Sequence, residues 1–310
     1  MKNNILIPIC MVFAVAAVAV PTTSESFADI MIKNSIEIHS PSVGEHDLFG
    51  SSVAPIGDIN GDGIPDIAVG APGHQDKTIG IGDIYLMMLD VDGDILDGGI
   101  IEIALGTPNG PESLGPYSLF GTSVANIGDM DGNGISDIAV GAPGHPTHTQ
   151  STGTVYIILL GNGGTVLKTM EINSETPNGP ESLQAGDLFG TSVANIGDMD
   201  GNGTADIAVG APGHHVGGIA SGDVYVLLLN NDGSIIRTVE INADTPKGPF
   251  LEISNRFGAS VAAAGDVDGN GTPDMVVGAP GYHDRGNTTG DVYVILFNCL
   301  LYTSPSPRDS

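Results

Sequence analysis

Basic residues are nearly missing from this chain. Nine Lys and Arg stand against 37 Asp and Glu, a formal net charge of −28 over 310 residues. A phosphate backbone needs a basic surface, so nucleic acid is excluded as a partner. The surplus of acid suits cation binding, a saline medium, or both. There is no tryptophan, and only two cysteines, Cys10 and Cys299, each in a terminal segment. Outside those segments no disulfide can tie the loops. The 46 Gly and 20 Pro follow no collagen-type period and argue against long helices. A hydrophobic fraction of 41% is still ample for a packed core.

One long apolar run exists, Ile5 to Val20, after Lys2. At 16 residues it is short for a span of about 20, and Ser26-Phe27-Ala28 places small residues for cleavage after Ala28. Residues 1–28 are therefore expected to be a secretory signal peptide, with the mature chain secreted or at the cell surface and no membrane span in it. The last stretch, CLLYTSPSPRDS at 299–310, matches a translation of sequencing-adapter DNA and is expected to be foreign to the protein.

Between these ends the chain repeats itself. LFGSSVAPIGDINGDGIPDIAVGAPGH at 48–74 returns with few changes at 119–145 and 188–214, and as RFGASVAAAGDVDGNGTPDMVVGAPGY at 256–282. From Phe49 to Phe120 is 71 residues, to Phe189 a further 69, and to Phe257 a further 68. So regular a period means radial or stacked units. Within the second unit, 122–128 is a small-residue strand, 137–142 a second, 154–160 a β-branched and aromatic third, and 165–172 an alternating fourth. Gly161-Asn162-Gly163-Gly164 turns the last pair into a hairpin. The wholly apolar third strand predicts burial on both faces, and the alternating fourth an outer edge. Four-stranded antiparallel sheets repeated about an axis make an all-β fold, a β-propeller, over 29–298. Blades begin near 48, 119, 188 and 256. The fourth has no fourth strand before 298, so the chain is expected to be a fragment whose sheets form an open arc. In the rival arrangement, 30–38 pairs with 291–298 and closes a four-bladed ring.

Each unit carries D-x-[ND]-x-[ND]-G-x-x-D between its first two strands. Oxygen-bearing side chains fall at positions 1, 3, 5 and 9, with a backbone carbonyl available at position 7. This is the front part of the EF-hand calcium spacing, without its bidentate Glu at position 12. Calcium accepts six to eight oxygens at varied angles, which an irregular loop can supply. The candidate ligands are Asp58, Asn60, Asp62, Ile64 (carbonyl) and Asp66; Asp129, Asp131, Asn133, Ile135 (carbonyl) and Asp137; Asp198, Asp200, Asn202, Thr204 (carbonyl) and Asp206; and Asp266, Asp268, Asn270, Thr272 (carbonyl) and Asp274. About four Ca2+ sites are expected.

Phe-Gly, the acidic loop and Gly-Ala-Pro together resemble the FG-GAP repeat of the integrin alpha-chain N-terminal propeller. The matching residues are Phe49-Gly50 with Gly70-Ala71-Pro72, Phe120-Gly121 with Gly141-Ala142-Pro143, Phe189-Gly190 with Gly210-Ala211-Pro212, and Phe257-Gly258 with Gly278-Ala279-Pro280. The resemblance covers about 48–298. It implies a seven-bladed ring, calcium loops that brace blades, and binding of extracellular protein or glycan ligands. The chain departs from that pattern in its four units, longer period and acidic loop in every unit. A second reading is a non-catalytic propeller attached to a secreted hydrolase, as in proteins resembling phospholipase D-type enzymes.

Catalytic signatures are absent from the sequence. No Gly-x-Ser-x-Gly elbow or His-Glu-x-x-His occurs, and without Trp there is no sialidase-type aspartate box. Ser52, Ser123, Ser192 and Ser260 sit in the small-residue strand, where close packing is expected. His74, His145, His214 and His283 each come shortly after Gly-Ala-Pro, with His215 and His148 nearby, and are expected to be repeated surface residues rather than a metal cluster. The reading is a non-enzymatic, calcium-binding adhesion or recognition protein.

Overall fold

The computed structural model describes residues 34–39, 41, 46–74, 80–147, 150–216, 219–281 and 290–298. Residues 1–28, expected to be a signal peptide, lie outside the described residues, as do His148, His283 and 299–310. Residues 34–39 carry no strand, and the compact unit begins at Ile38.

Four antiparallel sheets follow one another as propeller blades. Blade 1 is β1 (Ser52–Gly57), β2 (Asp66–Ala71), β3 (Asp83–Leu89) and β4 (Ile95–Ile103), paired in that order. Blade 2 is β5 (Ser123–Gly128), β6 (Asp137–Ala142), β9 (Thr154–Gly161) and β10 (Thr165–Ile172). A small ladder, β7 (Pro146–Thr147) with β8 (Gln150–Ser151), fills its middle connection. Blade 3 repeats this with β11 (Ser192–Gly197), β12 (Asp206–Ala211), β15 (Asp223–Leu229) and β16 (Ile235–Ile241), and the ladder β13 (His215–Val216) with β14 (Ile219–Ala220). Blade 4 has β17 (Ser260–Gly265), β18 (Asp274–Ala279) and β19 (Asp291–Ile295), a three-stranded sheet.

The hydrophobic core lies between blades. Ile84 and Leu86 of β3 face Val124, Val140, Tyr156 and Ile158 of blade 2 in one buried layer. Ile157 and Leu159 on the opposite face of β9 meet Val209, Tyr225 and Leu227 of blade 3. Val224, Val226 and Leu228 then meet Met275 and Val277 of blade 4. Side chains alternate across a strand, so a third strand sandwiched between two neighbours must be apolar throughout. β9 and β15 are buried at every position.

On blade 4, Val292 and Val294 of β19 are 75% and 54% exposed. Among the described residues β19 pairs only with β18. The ring-closing strand at 30–38 is only partly described, and its described part, 34–38, forms none.

The residues that define the repeat lock blade to blade. Gly121 amide donates to Gly141 O of its own blade at 3.1 Å. The carbonyl of the same Gly121 accepts from Ser52 Oγ of the preceding blade at 2.8 Å. Ser123 to Gly190 O (2.9 Å) and Ser192 to Gly258 O (2.8 Å) repeat the bond. A Cβ on Gly70 would lie 2.0 Å from Gly121 O, so only glycine lets the two backbones meet. Phe120, Phe189 and Phe257 are fully buried and stand edge-on to Tyr156, Tyr225 and Tyr293.

Candidate metal centres

The acidic loops span the β1–β2, β5–β6, β11–β12 and β17–β18 connections, so all four emerge at the same end of their blades. Each is shaped by its own side chains. Asp129 at position 1 accepts from the amides of Gly132, Asn133 and Gly134 at 2.8, 2.9 and 2.8 Å. Asp198 accepts from Gly201, Asn202 and Gly203, and Asp58 from Gly61, Asp62 and Gly63. Asp266 holds Asn270 and Gly271. Gly132 and Gly134 have φ of +79° and +91°, the left-handed region that a side chain resists. At position 5, Asn133 Oδ1 accepts from Ile135 N at 2.7 Å, and its Nδ2 donates to Leu160 O at 2.8 Å. Asn202 and Asn270 make the same pair of bonds.

The position 9 aspartates are fully buried. Asp137 accepts from Met130 N at 2.8 Å on one oxygen and from Leu160 N at 2.8 Å on the other. Asp66, Asp206 and Asp274 are held in the same way. This residue therefore ties the loop to the end of the third strand as well as facing the loop's other acids. Burial is the largest influence on Asp137 and Asp206 and pushes both up to about 6, opposed by the two amides and reinforced by the neighbouring aspartates. Asp58 is half-buried, and the Gly63 amide leads the hydrogen bonds that lower its pKa.

Carboxylate oxygens come within 4.8 Å of one another in three loops: Asp129, Asp131 and Asp137; Asp198, Asp200 and Asp206; and Asp266, Asp268 and Asp274. The first loop differs. Asn60 stands at position 3 and donates to Asp62 Oδ2 at 2.9 Å, and no such carboxylate triple forms among Asp58, Asp62 and Asp66. At position 7 Thr204 and Thr272 are buried, while Ile135 packs on the layer between blades 1 and 2 and Ile64 is half-buried. Their backbone carbonyls remain the donors that the spacing assigns. The donor set is oxygen throughout, which fits a hard cation.

The histidine expectation is overturned. His145 and His214 are buried and His74 is half-buried, because the residue after Gly-Ala-Pro-Gly sits against the start of the third strand. A glycine amide pins it there: Gly153 N donates to His145 O and Gly222 N to His214 O. His214 lies between Asp187 and Asp223, with Glu240 alongside. Burial is the largest influence on Asp223 and raises it to about 8, helped by Glu240; Asp83 rises to about 7 for the same leading reason. Sequence pattern pointed to the histidines but not to these acids, which stand 27, 9 and 26 positions from His214 and meet only through strand pairing.

Four blades of antiparallel strands, each with an acidic turn at one end and Phe-Gly locked on Gly-Ala-Pro, define a repeat propeller. The FG-GAP repeat family matches residues 49–85, 120–158, 189–227 and 257–295. The chain is an FG-GAP repeat protein resembling the integrin alpha-chain N-terminal propeller. It is 34% identical over 179 residues to integrin alpha-IIb of Homo sapiens, covering 53% of this chain and 15% of that protein. It is 30% identical over 276 residues to integrin alpha-V of Gallus gallus, covering 83% of this chain and 22% of that protein. The chain thus spans about a fifth or less of the relatives it matches. Among solved structures, rhamnogalacturonan lyase YesW superposes with a TM-score of 0.39 at 17% identity, over 72% of this chain and 40% of that one. No helix among the described residues is long and apolar enough to cross a membrane.

Proposed function

We propose that this chain is a calcium-braced recognition propeller of a secreted or cell-surface protein, non-enzymatic, that binds an extracellular protein or glycan. The carrying observation is the three equivalent clusters of three carboxylates. Asp129, Asp131, Asn133, Asp137 and the Ile135 carbonyl would hold one ion, and the matching residues of the other loops the rest. A bound calcium neutralises carboxylates that otherwise repel at close range. Loop 58–66 lacks the third clustered carboxylate and fills last. Affinities of ~10⁻⁴ to 10⁻³ M suit an extracellular module.

The recognition surface is placed at the opposite end of the blades. There the long connections 104–122, 173–191 and 242–259 emerge beside the Gly-Ala-Pro loops. They expose Tyr117, Phe250 and Ile253. Varied loops on a rigid scaffold are where binding tends to sit.

Thermal unfolding with and without EDTA tests the calcium reading. Calcium should raise the melting temperature by mass action, with EDTA reversing the shift. An unchanged melting curve would sink it.

A further inference from the structure

We propose that blades 1 and 3 each carry a second kind of cation site, a histidine–aspartate–glutamate cluster that takes a divalent first-row transition metal such as Zn2+, at the blade end opposite the acidic loops.

The blade 3 cluster is laid out as such a site requires. Asp187 Oδ2 lies 2.5 Å from His214 Nδ1, which makes Nδ1 the protonated nitrogen and leaves the Nε2 lone pair for a ligand. A carboxylate behind the ring is the usual way a metal-binding imidazole is oriented. Nε2 faces Asp223, 3.5 Å from its Oδ2. Donor atoms of His214, Asp223 and Glu240 all lie within 4.8 Å of one another. Donors bound at about 2.0–2.2 Å to a common ion sit at most about 4.4 Å apart, so a small contraction completes the set. Asn242 Nδ2 and Ser182 Oγ hold Glu240 at 2.7 and 2.8 Å. Glu240 is half-buried and gives the ion a way in.

Asp223 is fully buried, and its Oδ1 has no hydrogen-bond partner. With Asp223 ionised, three carboxylates around one imidazole would put excess negative charge in a dry place, where an uncompensated charge is costly. A divalent cation removes that excess and satisfies the orphaned oxygen together. Blade 1 repeats the arrangement. His74 Nδ1 lies 3.3 Å from Asp47 Oδ2 and Nε2 lies 3.3 Å from Asp83 Oδ2. That Asp83 oxygen is buried and accepts no hydrogen bond. Glu102 completes the set and is held by Tyr85 Oη at 2.9 Å.

Blade 2 is an internal control. Ser118 and Thr154 take the places of the two aspartates, and the histidine is buried all the same. His145 bonds Thr154 Oγ1 at 3.1 Å through Nδ1 and Ser113 O at 2.9 Å through Nε2. The scaffold therefore packs this histidine with neutral partners, and the aspartates of blades 1 and 3 exceed what packing needs. Imidazole with carboxylates suits zinc and its neighbours, whereas calcium prefers the all-oxygen loops.

The experiment is equilibrium dialysis of the full chain against zinc chloride with calcium in large excess, with bound zinc counted by atomic emission. Two zinc ions per chain are expected, one for each cluster. Asp187→Ser with Asp223→Thr installs the residues of blade 2 in blade 3 and should lower the count by one at unchanged far-UV circular dichroism. His145→Gln should leave it unchanged. The reverse exchange, Ser118→Asp with Thr154→Asp, should add one. No bound zinc in the parent chain, or a count that neither exchange moves, overturns the proposal. The calcium reading is untouched by either result, since it is measured by chelator on the other loops.

Discussion

Gly141→Ala is the sharpest test of how the blades are joined. A Cβ at this position would lie 1.9 Å from Gly190 O and 2.4 Å from Ser123 Oγ. An ordinary carbon–oxygen contact is more than an ångström longer, so backbone must move. Gly190 cannot yield freely: its amide donates to Gly210 O at 3.1 Å, and Phe189 N donates to Thr152 O at 3.1 Å. The methyl must break the bond from Ser123 Oγ to Gly190 O, worth about 1 kcal/mol. It must also part blades 2 and 3, an overpacking cost of about 1–3 kcal/mol. Together the loss is about 3 kcal/mol. The control is Gly106→Ala, at φ +94°, where a Cβ would meet nothing within 4 Å. That change carries only the left-handed backbone penalty of about 1–2 kcal/mol. Urea unfolding followed by circular dichroism reads both. The midpoint of Gly141→Ala should fall clearly below that of Gly106→Ala, and equal midpoints would refute the blade-locking argument.

Other outcomes follow from the same contacts. Asp137→Ala in EDTA should still destabilise by about 2–4 kcal/mol, because it orphans the buried amides of Met130 and Leu160; an unchanged urea midpoint would show that Asp137 acts only through a metal. Asp131→Asn should leave the EDTA melting curve in place and shrink the calcium-induced shift, since Asp131 is exposed and its loop bond to Asn133 N needs only one oxygen. Phe189→Ala removes a fully buried ring edge-on to Tyr225 and should cost about 3–5 kcal/mol by urea unfolding. Val292→Ser with Val294→Ser should reduce concentration-dependent light scattering, because both side chains lie on the bare face of blade 4. Grafting unrelated residues into 173–188 and 242–256 should abolish binding to the natural surface without lowering the calcium-induced melting shift.

Much of this fold was legible in the chain because its signals are local and repeated. Alternation, turn residues and apolar runs mark strands directly. In the second unit the fourth strand falls at Thr165–Ile172 as expected, and the third runs one residue past its expected end, to Gly161. The acidic loops were equally plain, since their ligands lie within nine consecutive residues and glycine sets the turn. Even the near-identity of the loops misled at one place: Asn60 looks like a tolerated substitution, yet it denies loop 58–66 the carboxylate triple of the other three. The paired burial of the third strands followed from their apolar character. Which blades cover which face did not, because alternation along a strand says only that both faces are dry. The histidines went furthest astray. A Gly-Ala-Pro-Gly-His loop reads as surface punctuation, and only antiparallel pairing carries Asp223 and Glu240 to His214 while the preceding Phe-Gly segment delivers Asp187. Periodicity, strand content and the acidic turns were therefore determined by the sequence itself, because each depends on residues close together in the chain. The buried carboxylates around His74 and His214, and the glycine contacts between blades, were decided by tertiary structure, because desolvation and backbone approach depend on neighbours far away in sequence.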